Sequence, residues 1–195
     1  MTYNPDVHHR RSIRLREYDY SSAGAYFVTL CVQGRECLFG GIVQDDMVLN
    51  EAGRKVEGVW RSLPDRFPNV TLDEFVVMPN HLHGVIVVAD NGLTDAVGAI
   101  HELPDTCCND RAIHELPLHK KRRTMLIPKV IGFFKMNTAK QINLMPNTPG
   151  IPLWQRNYHE RVIRGEREMT AIREYIRQNP LKWEYDQENP ETTTR

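Results

Sequence analysis

Apolar positions along this chain follow two repeats, one of period two and one near 3.6, and the switches between them set an order of elements. The segment Ala25-Tyr-Phe-Val-Thr-Leu-Cys-Val32 is rich in β-branched and aromatic residues and predicts a buried strand. Asn50 then stands where a helix N-cap belongs. Behind it Ala52, Val56, Val59, Trp60 and Leu63 recur at three- and four-residue steps, until Pro64 and Pro68 close the helix. Residues 72–88 are strand-like except at Pro79-Asn80, a pair suited to the centre of a tight turn, so a hairpin of 72–78 against 81–88 is expected. Periodicity is lost from 89 to about 125. Pro128 opens a second helix reaching about Ile142, with Val130, Ile131, Phe134 and Ile142 to bury. A Pro/Asn/Gly loop at 146–152 leads to a fourth strand over about 153–163. A last helix runs from Glu166 to about Asn179 on the stripe Met169, Ile172 and Ile176, and Pro180 stops it.

Strand, helix, hairpin, helix, strand, helix is a βαββαβ core with one helix added. It predicts an α+β fold, a ferredoxin-like sandwich on an antiparallel sheet, with the extra C-terminal helix outside the repeat. A chain of 195 residues suits one domain. The expected layout is a basic arm at 1–24, a single domain at 25–185 carrying a poorly ordered insertion at 89–125, and an acidic, polar tail at 186–195. Inside the insertion the hexapeptide Ala-Ile-His-Glu-Leu-Pro occurs twice, at 99–104 and 112–117. Two copies of so short a unit cannot stack into a solenoid, which makes a duplicated surface loop the expectation.

Composition narrows the class without naming it. With 41% hydrophobic and 26% charged residues, the chain has the make-up of an ordinary globular protein. No apolar run approaches the roughly 18 residues that span a bilayer, and the first residues are polar, so a cytoplasmic, nucleoid-associated protein without a membrane partner is expected. Cys31, Cys37, Cys107 and Cys108 show no CxxC spacing and read as reduced thiols. Formal net charge is zero, but the charges are segregated. Arg10, Arg11, Arg14 and Arg16 form one basic cluster, Lys120, Lys121, Arg122 and Arg123 a second, and Arg156, Arg161, Arg164 and Arg167 a third. Acidic residues gather at Asp45/Asp46, in 90–115 and from Glu184 to Glu191. Each basic run read alone is equally well a solvated surface; three of them around one candidate site point to phosphate.

Two stretches carry the chemistry. In Met78-Pro-Asn-His-Leu-His-Gly84, residues two apart on a strand share a face, so His81 and His83 project together while Leu82 enters the opposite layer. Paired imidazoles make half of a metal site, although solvent-facing histidines give the same pattern, and no cysteine or carboxylate at a suitable spacing completes a zinc set. In Glu174-Tyr-Ile-Arg-Gln-Asn-Pro180, Tyr175 and Asn179 lie one helical turn apart on one face. Core packing for the tyrosine and a helix C-cap for the asparagine are the plainer alternatives. Together the stretches support one mechanism. A phenol with a pKa of about 10 is a poor nucleophile unaided, and a cation beside it stabilises the phenolate and polarises a phosphodiester. Two imidazoles and an amide oxygen leave the ion's double charge free to act, and mixed nitrogen and oxygen donors suit Mg²⁺ or Mn²⁺, though zinc and nickel also accept histidine. Tyr26, Trp154 and Tyr158 are candidates for stacking on unpaired bases, with core packing the alternative their strand positions favour.

The chain resembles the REP-associated tyrosine transposases, within the HUH single-strand transposases that use one catalytic tyrosine. The resemblance runs over nearly the whole chain in five ordered blocks: Arg11-Ser-Ile-Arg-Leu-Arg-Glu-Tyr-Asp-Tyr20, Tyr26-Phe-Val-Thr29, Met78-Pro-Asn-His-Leu-His-Gly84, Trp154-Gln-Arg-Asn-Tyr158 and Tyr175-Ile-Arg-Gln-Asn-Pro180. It implies that His81 and His83 ligate the metal, that Asn179 is the third ligand, and that Tyr175 forms a 5′-phosphotyrosine bond while freeing a 3′-hydroxyl. It also implies single-stranded or hairpin DNA from palindromic repeats as the partner. The duplicated loop has no counterpart in the family pattern. A monomer is the expectation, since nothing in the insertion signals a dimer; a homodimer is the alternative. Two other classes stay open on the residues alone: a non-catalytic nucleic-acid binder on the same fold, and a metal-dependent hydrolase, which would want an acidic group near the histidine pair.

Overall fold

The computed structural model describes residues 19–89, 125–145 and 152–192. The Arg10–Arg16 cluster, the Lys120–Arg123 cluster, the repeated hexapeptide, Cys107, Cys108 and most of the 146–152 loop lie outside the described residues.

The elements are β1 (Gly24–Cys31), β2 (Gly40–Val43), β3 (Asp46–Leu49), α1 (Glu51–Arg61), α2 (Leu63–Arg66), β4 (Val70–Val77), β5 (His81–Val88), α3 (Leu126–Asn143), β6 (His159–Ile163) and α4 (Glu166–Gln178). Four strands form one antiparallel sheet in the order β4-β5-β1-β6. Taken as the first to fourth strands of a βαββαβ unit, this is the ferredoxin-like order, and the expected α+β fold is present.

Strand alternation divides the sheet into two chemically distinct faces. Tyr26, Val28 and Leu30 of β1, with Leu82 and Ile86 of β5, are fully buried on one face beneath Trp60 of α1 and Ile127, Val130, Ile131 and Phe134 of α3. Gly84 belongs to this face for a steric reason: a Cβ there would stand 2.4 Å from Cζ2 of Trp60, so only glycine leaves the indole its place against β5. The other face bears Phe27, Val76, Val85, Val87 and both histidines, and α4 covers it with Met169, Ile172 and the fully buried Ile176. Helix α4 is thus the added layer, opposite α1 and α3.

Local signals explain most boundaries. The Asn50 side chain accepts a 2.9 Å hydrogen bond from the Gly53 N–H and caps α1 as expected. Helix α3 begins two residues before Pro128, which occupies the first turn, where its missing N–H leaves no intrahelical bond unmade. Three expectations need correction. The segment between β1 and α1, left without an assigned element by its pattern, folds as the β2–β3 hairpin, with Gln44 and Asp45 both at positive φ (51° and 66°) as a two-residue turn between right-twisted strands requires. The strand expected over 153–163 is confined to β6; Trp154 makes only an isolated bridge to Val32, and its indole donates to Thr138 Oγ1 at 2.8 Å within the core. Pro180 ends the α-helix but not the helical path, because the chain continues as a 3-10 turn, Pro180–Tyr185, that swings it back towards β5. Among the described residues no helix is long and apolar enough to cross a membrane.

Candidate active site

His81 and His83 open β5 directly after the turn at Pro79-Asn80, which the Met78 N–H closes on the His81 carbonyl at 2.8 Å. As their spacing requires, the rings share a face, with centroids 4.4 Å apart, and both are buried (0% and 4% exposed). Each ring has one nitrogen tied down. His83 Nδ1 lies 2.8 Å from Thr29 Oγ1 across the register of β1 and β5, and His81 Nδ1 lies 2.9 Å from Asn80 Oδ1.

Helix α4 delivers the second half. The Tyr175 hydroxyl stands 3.3 Å from His83 Nε2, and its ring meets Phe27 edge-on at 6.0 Å between centroids. At 46% exposed, Tyr175 is reachable from solvent instead of buried in the core. Asn179 caps α4 with its backbone, yet its side chain is buried and turned inward. The helix is held in register from its other flank. A bulge in β4 between Leu72 and Phe75 interrupts the pairing with β5. From it Asp73 takes both Nε and Nη2 of Arg173 at 2.8 Å, and Glu74 pairs with Arg177 one turn on. Two carboxylate–guanidinium clamps four residues apart therefore set the rotation that aims Tyr175 and Asn179 at the histidines.

The returning chain adds a group that sequence spacing gave no sign of. Asp186 Oδ2 stands 3.9 Å from His81 Nε2, and among the described residues His81, His83 and Asp186 place one donor atom each within 4.8 Å of one another. Arg35 holds this segment in place, donating to the Gln187 carbonyl at 3.1 Å and pairing with Glu188 at 3.1 Å. Thr29, Asn80 and Asp186 were all missed as site residues. Thr29 and Asn80 sit inside motifs that sequence reading singled out, but their contacts follow from strand register and turn geometry; Asp186 sits in a stretch that reads only as an acidic tail.

The electrostatics are those of a site built for neutral imidazoles. Burial lowers the His81 pKa to about 4 against the opposing pull of the Asp186 carboxylate, and burial together with the neighbouring His81 puts His83 well below the usual histidine range. Burial, then the Asp186 and Glu188 charges, push the Tyr175 phenol up. Left to these groups the hydroxyl keeps its proton, and a positive charge is what the pocket wants. Two atoms say the same: His81 Nε2 and Asn179 Oδ1 are buried and have no hydrogen-bond partner among the described residues. Such atoms cost about 1–3 kcal/mol each unless something binds them. A divalent cation accepts a lone pair from each, and the donor set of two imidazoles, an amide oxygen and a carboxylate is one that such ions take. These donors fit the ion. A cleft of about 590 Å³ opens on the site, lined by His83, Tyr175, Asn179, His159, Lys182 and Asp186 among others.

The remaining candidates divide. Arg161, in the middle of β6, and Arg164, just past its end, are exposed, and Arg161 pairs with Glu168 at 2.6 Å. Tyr26 and Trp154 are core residues, and Tyr158 lies half-buried with the Lys135 ammonium 5.3 Å from its ring centroid, so none of the three is an open stacking platform. Cys31, beside His81 in the register, has its thiol pushed up to about 12, chiefly by burial, and offers no thiolate.

No family model matches the chain. An uncharacterized protein of Haemophilus influenzae is 40% identical over 185 residues, which is 95% of this chain and 96% of that one. Among solved structures, a REP-associated tyrosine transposase bound to a REP hairpin superposes with a TM-score of 0.55 at 14% identity, over 89% of this chain and 75% of that one. The chain belongs to one family with the Haemophilus influenzae protein, and it has the mixed, antiparallel-sheet fold of the REP-associated tyrosine transposase.

Proposed function

We propose that this protein nicks and rejoins single-stranded DNA beside a hairpin, with Tyr175 as the nucleophile and His81, His83 and Asn179 as ligands of a divalent cation, Mg²⁺ or Mn²⁺. The observation that carries the reading is the approach of the Tyr175 hydroxyl to His83 Nε2, at 3.3 Å, next to two buried donor atoms that make no hydrogen bond among the described residues. The five sequence blocks and a fold shared with a transposase bound to a REP hairpin support DNA as the substrate.

The cation, when bound, neutralises charge on a scissile phosphate and makes the phenolate accessible near neutral pH. The chain's own groups do the rest. Tyr175 Oη attacks phosphorus as the phenolic proton leaves to water. The P–O3′ bond breaks, the 3′-oxygen takes up a proton, and the strand is left as a 5′-phosphotyrosine and a free 3′-hydroxyl. Attack by another 3′-hydroxyl reverses the step and rejoins the strand. Neutral imidazoles keep their lone pairs for the metal, and the clamps on Arg173 and Arg177 spare the helix a search for its orientation. Arg161 and Arg164, with the clusters Arg10–Arg16 and Lys120–Arg123, supply phosphate contacts.

Asp186 gives weight to a second reading, a metal-dependent hydrolase in which a carboxylate beside the histidines acts as ligand or base and water as nucleophile. One experiment separates the two. A labelled hairpin DNA with single-stranded flanks is incubated with the protein and Mn²⁺, then denatured. The tyrosine reading predicts a denaturation-resistant adduct in the wild type and none with Tyr175→Phe, hairpin binding being retained. Cleavage without an adduct, undiminished in Tyr175→Phe, establishes the hydrolase. Binding without cleavage by either protein establishes the non-catalytic class.

A further inference from the structure

Asn80, at 1% exposed, has both its side-chain amide hydrogens and its side-chain oxygen engaged, and the way it does so reaches His81. Its Nδ2 donates to two carbonyls, Arg35 O at 2.9 Å and Glu188 O at 2.7 Å. Carbonyl oxygens only accept, so the amide cannot be turned over: a flip would set Oδ1 against both of them. Oδ1 must therefore face His81 Nδ1, 2.9 Å away, and since Oδ1 also only accepts, the hydrogen sits on Nδ1. The lone pair of His81 is thereby placed on Nε2, the buried nitrogen without a hydrogen-bond partner, pointing towards Asp186 and the rest of the donor set.

A competing arrangement exists. The Asp186 carboxylate, 3.9 Å from Nε2, would draw the hydrogen to that nitrogen and close the site to a metal, but it lies a full ångström farther off than Asn80 Oδ1. We propose that Asn80 is a positioning residue: by its saturated contacts with the Arg35 and Glu188 carbonyls it locks His81 into the Nδ1–H tautomer, the one form whose Nε2 can ligate, against the pull of Asp186. This rests on the reading of His81 as a ligand, but the tautomer itself does not. Partners that fix a ligand's ring in this way are worth about 10–100-fold in metal affinity.

The test reads the tautomer directly. Long-range ¹H–¹⁵N correlation spectra of the metal-free, DNA-free, full-length protein should show His81 with a pyrrole-type Nδ1 and a pyridine-type Nε2. In Asn80→Ala the Nε2–H form should gain population, and Mn²⁺ affinity by calorimetry should fall about 10–100-fold. Asn80→Asp keeps the acceptor towards Nδ1 but sets its second oxygen against the Arg35 and Glu188 carbonyls, so it should recover the tautomer and the affinity only in part, between Asn80→Ala and the wild type. A wild-type spectrum with the hydrogen on Nε2 overturns the proposal even if no variant folds. So does Mn²⁺ affinity within twofold of wild type in a folded Asn80→Ala. A protein that shows the Nδ1–H tautomer but forms no DNA adduct would overturn the proposed function and leave this inference standing.

Discussion

Replacing Asn179 by leucine should separate stability from metal binding. Its Oδ1 is buried without a hydrogen-bond partner among the described residues, an unsatisfied acceptor that costs the metal-free protein about 1–3 kcal/mol. Leucine has nearly the same shape and no polar atom. At about 2–4 °C per kcal/mol for a domain of this size, metal-free Asn179→Leu should melt at the wild-type temperature or up to about 12 °C above it, depending on how well the branched end packs. The metal response should move the other way. With Mn²⁺ at a hundred times its Kd, the wild type gains about 2.7 kcal/mol, a rise of about 5–11 °C. A hundredfold loss of affinity leaves about 0.4 kcal/mol at the same Mn²⁺ concentration, a rise of at most about 2 °C. Four thermal melts decide it: each protein, with Mn²⁺ and with chelator. A variant that melts several degrees low without metal, yet keeps the full Mn²⁺ shift, would falsify the reasoning, because Oδ1 would then be structural and not a ligand.

Three further outcomes follow from the same geometry. The Asp73 carboxyl is held below its usual pKa, first by its hydrogen bonds from Arg173, so the clamp's stability is present above the unfolded value of about 3.9 and is lost as pH falls through the lower folded value. Melting temperature between pH 5 and 2 should accordingly fall less steeply in Asp73→Asn than in the wild type; parallel curves would show that the clamp contributes nothing. Gly84→Ala drives a Cβ into Trp60 and should cost about 1–3 kcal/mol, or about 2–12 °C in Tm, whereas an unchanged Tm would mean the indole has room to move. Neutralising Arg161 and Arg164 together should reduce the slope of log affinity against log salt by about 0.7–0.9 for each phosphate left without its cation, with no preference among hairpin sequences; a slope equal to the wild type's would remove both from the interface.

What the sequence determined by itself is whatever depends on near neighbours. Strand period two places His81 and His83 on one face and Leu82 on the other, and the buried rings and the Leu82 core position bear that out. Helical spacing puts Tyr175 and Asn179 on one side of α4, and the Asn50 cap, the Pro79-Asn80 turn and the α+β order are all local grammar. The plain alternative for Tyr26 was also legible, since a strand in the middle of a sheet buries its aromatic residues, whereas Trp154 is a core residue without lying on a strand.

Tertiary structure alone decided which groups meet. That α4 lies on the histidine face, not on the face of α1 and α3, goes with the burial of its Ile176 stripe there and with Asp73 and Glu74 at a bulge pairing with Arg173 and Arg177 far along the chain, and no periodicity encodes such meetings. Asp186 reaches His81 only because Pro180 starts a 3-10 turn instead of ending the helical path, and because Arg35 and Asn80, from two other loops, hold residues 187 and 188. The β2–β3 hairpin escaped notice because its strands are four residues long, too short for alternation to show. Local structure follows short-range sterics and periodicity, which a linear string contains. A site assembled from β1, β5, α4 and the segment behind it follows from long-range packing, in which each contact is set by all the others.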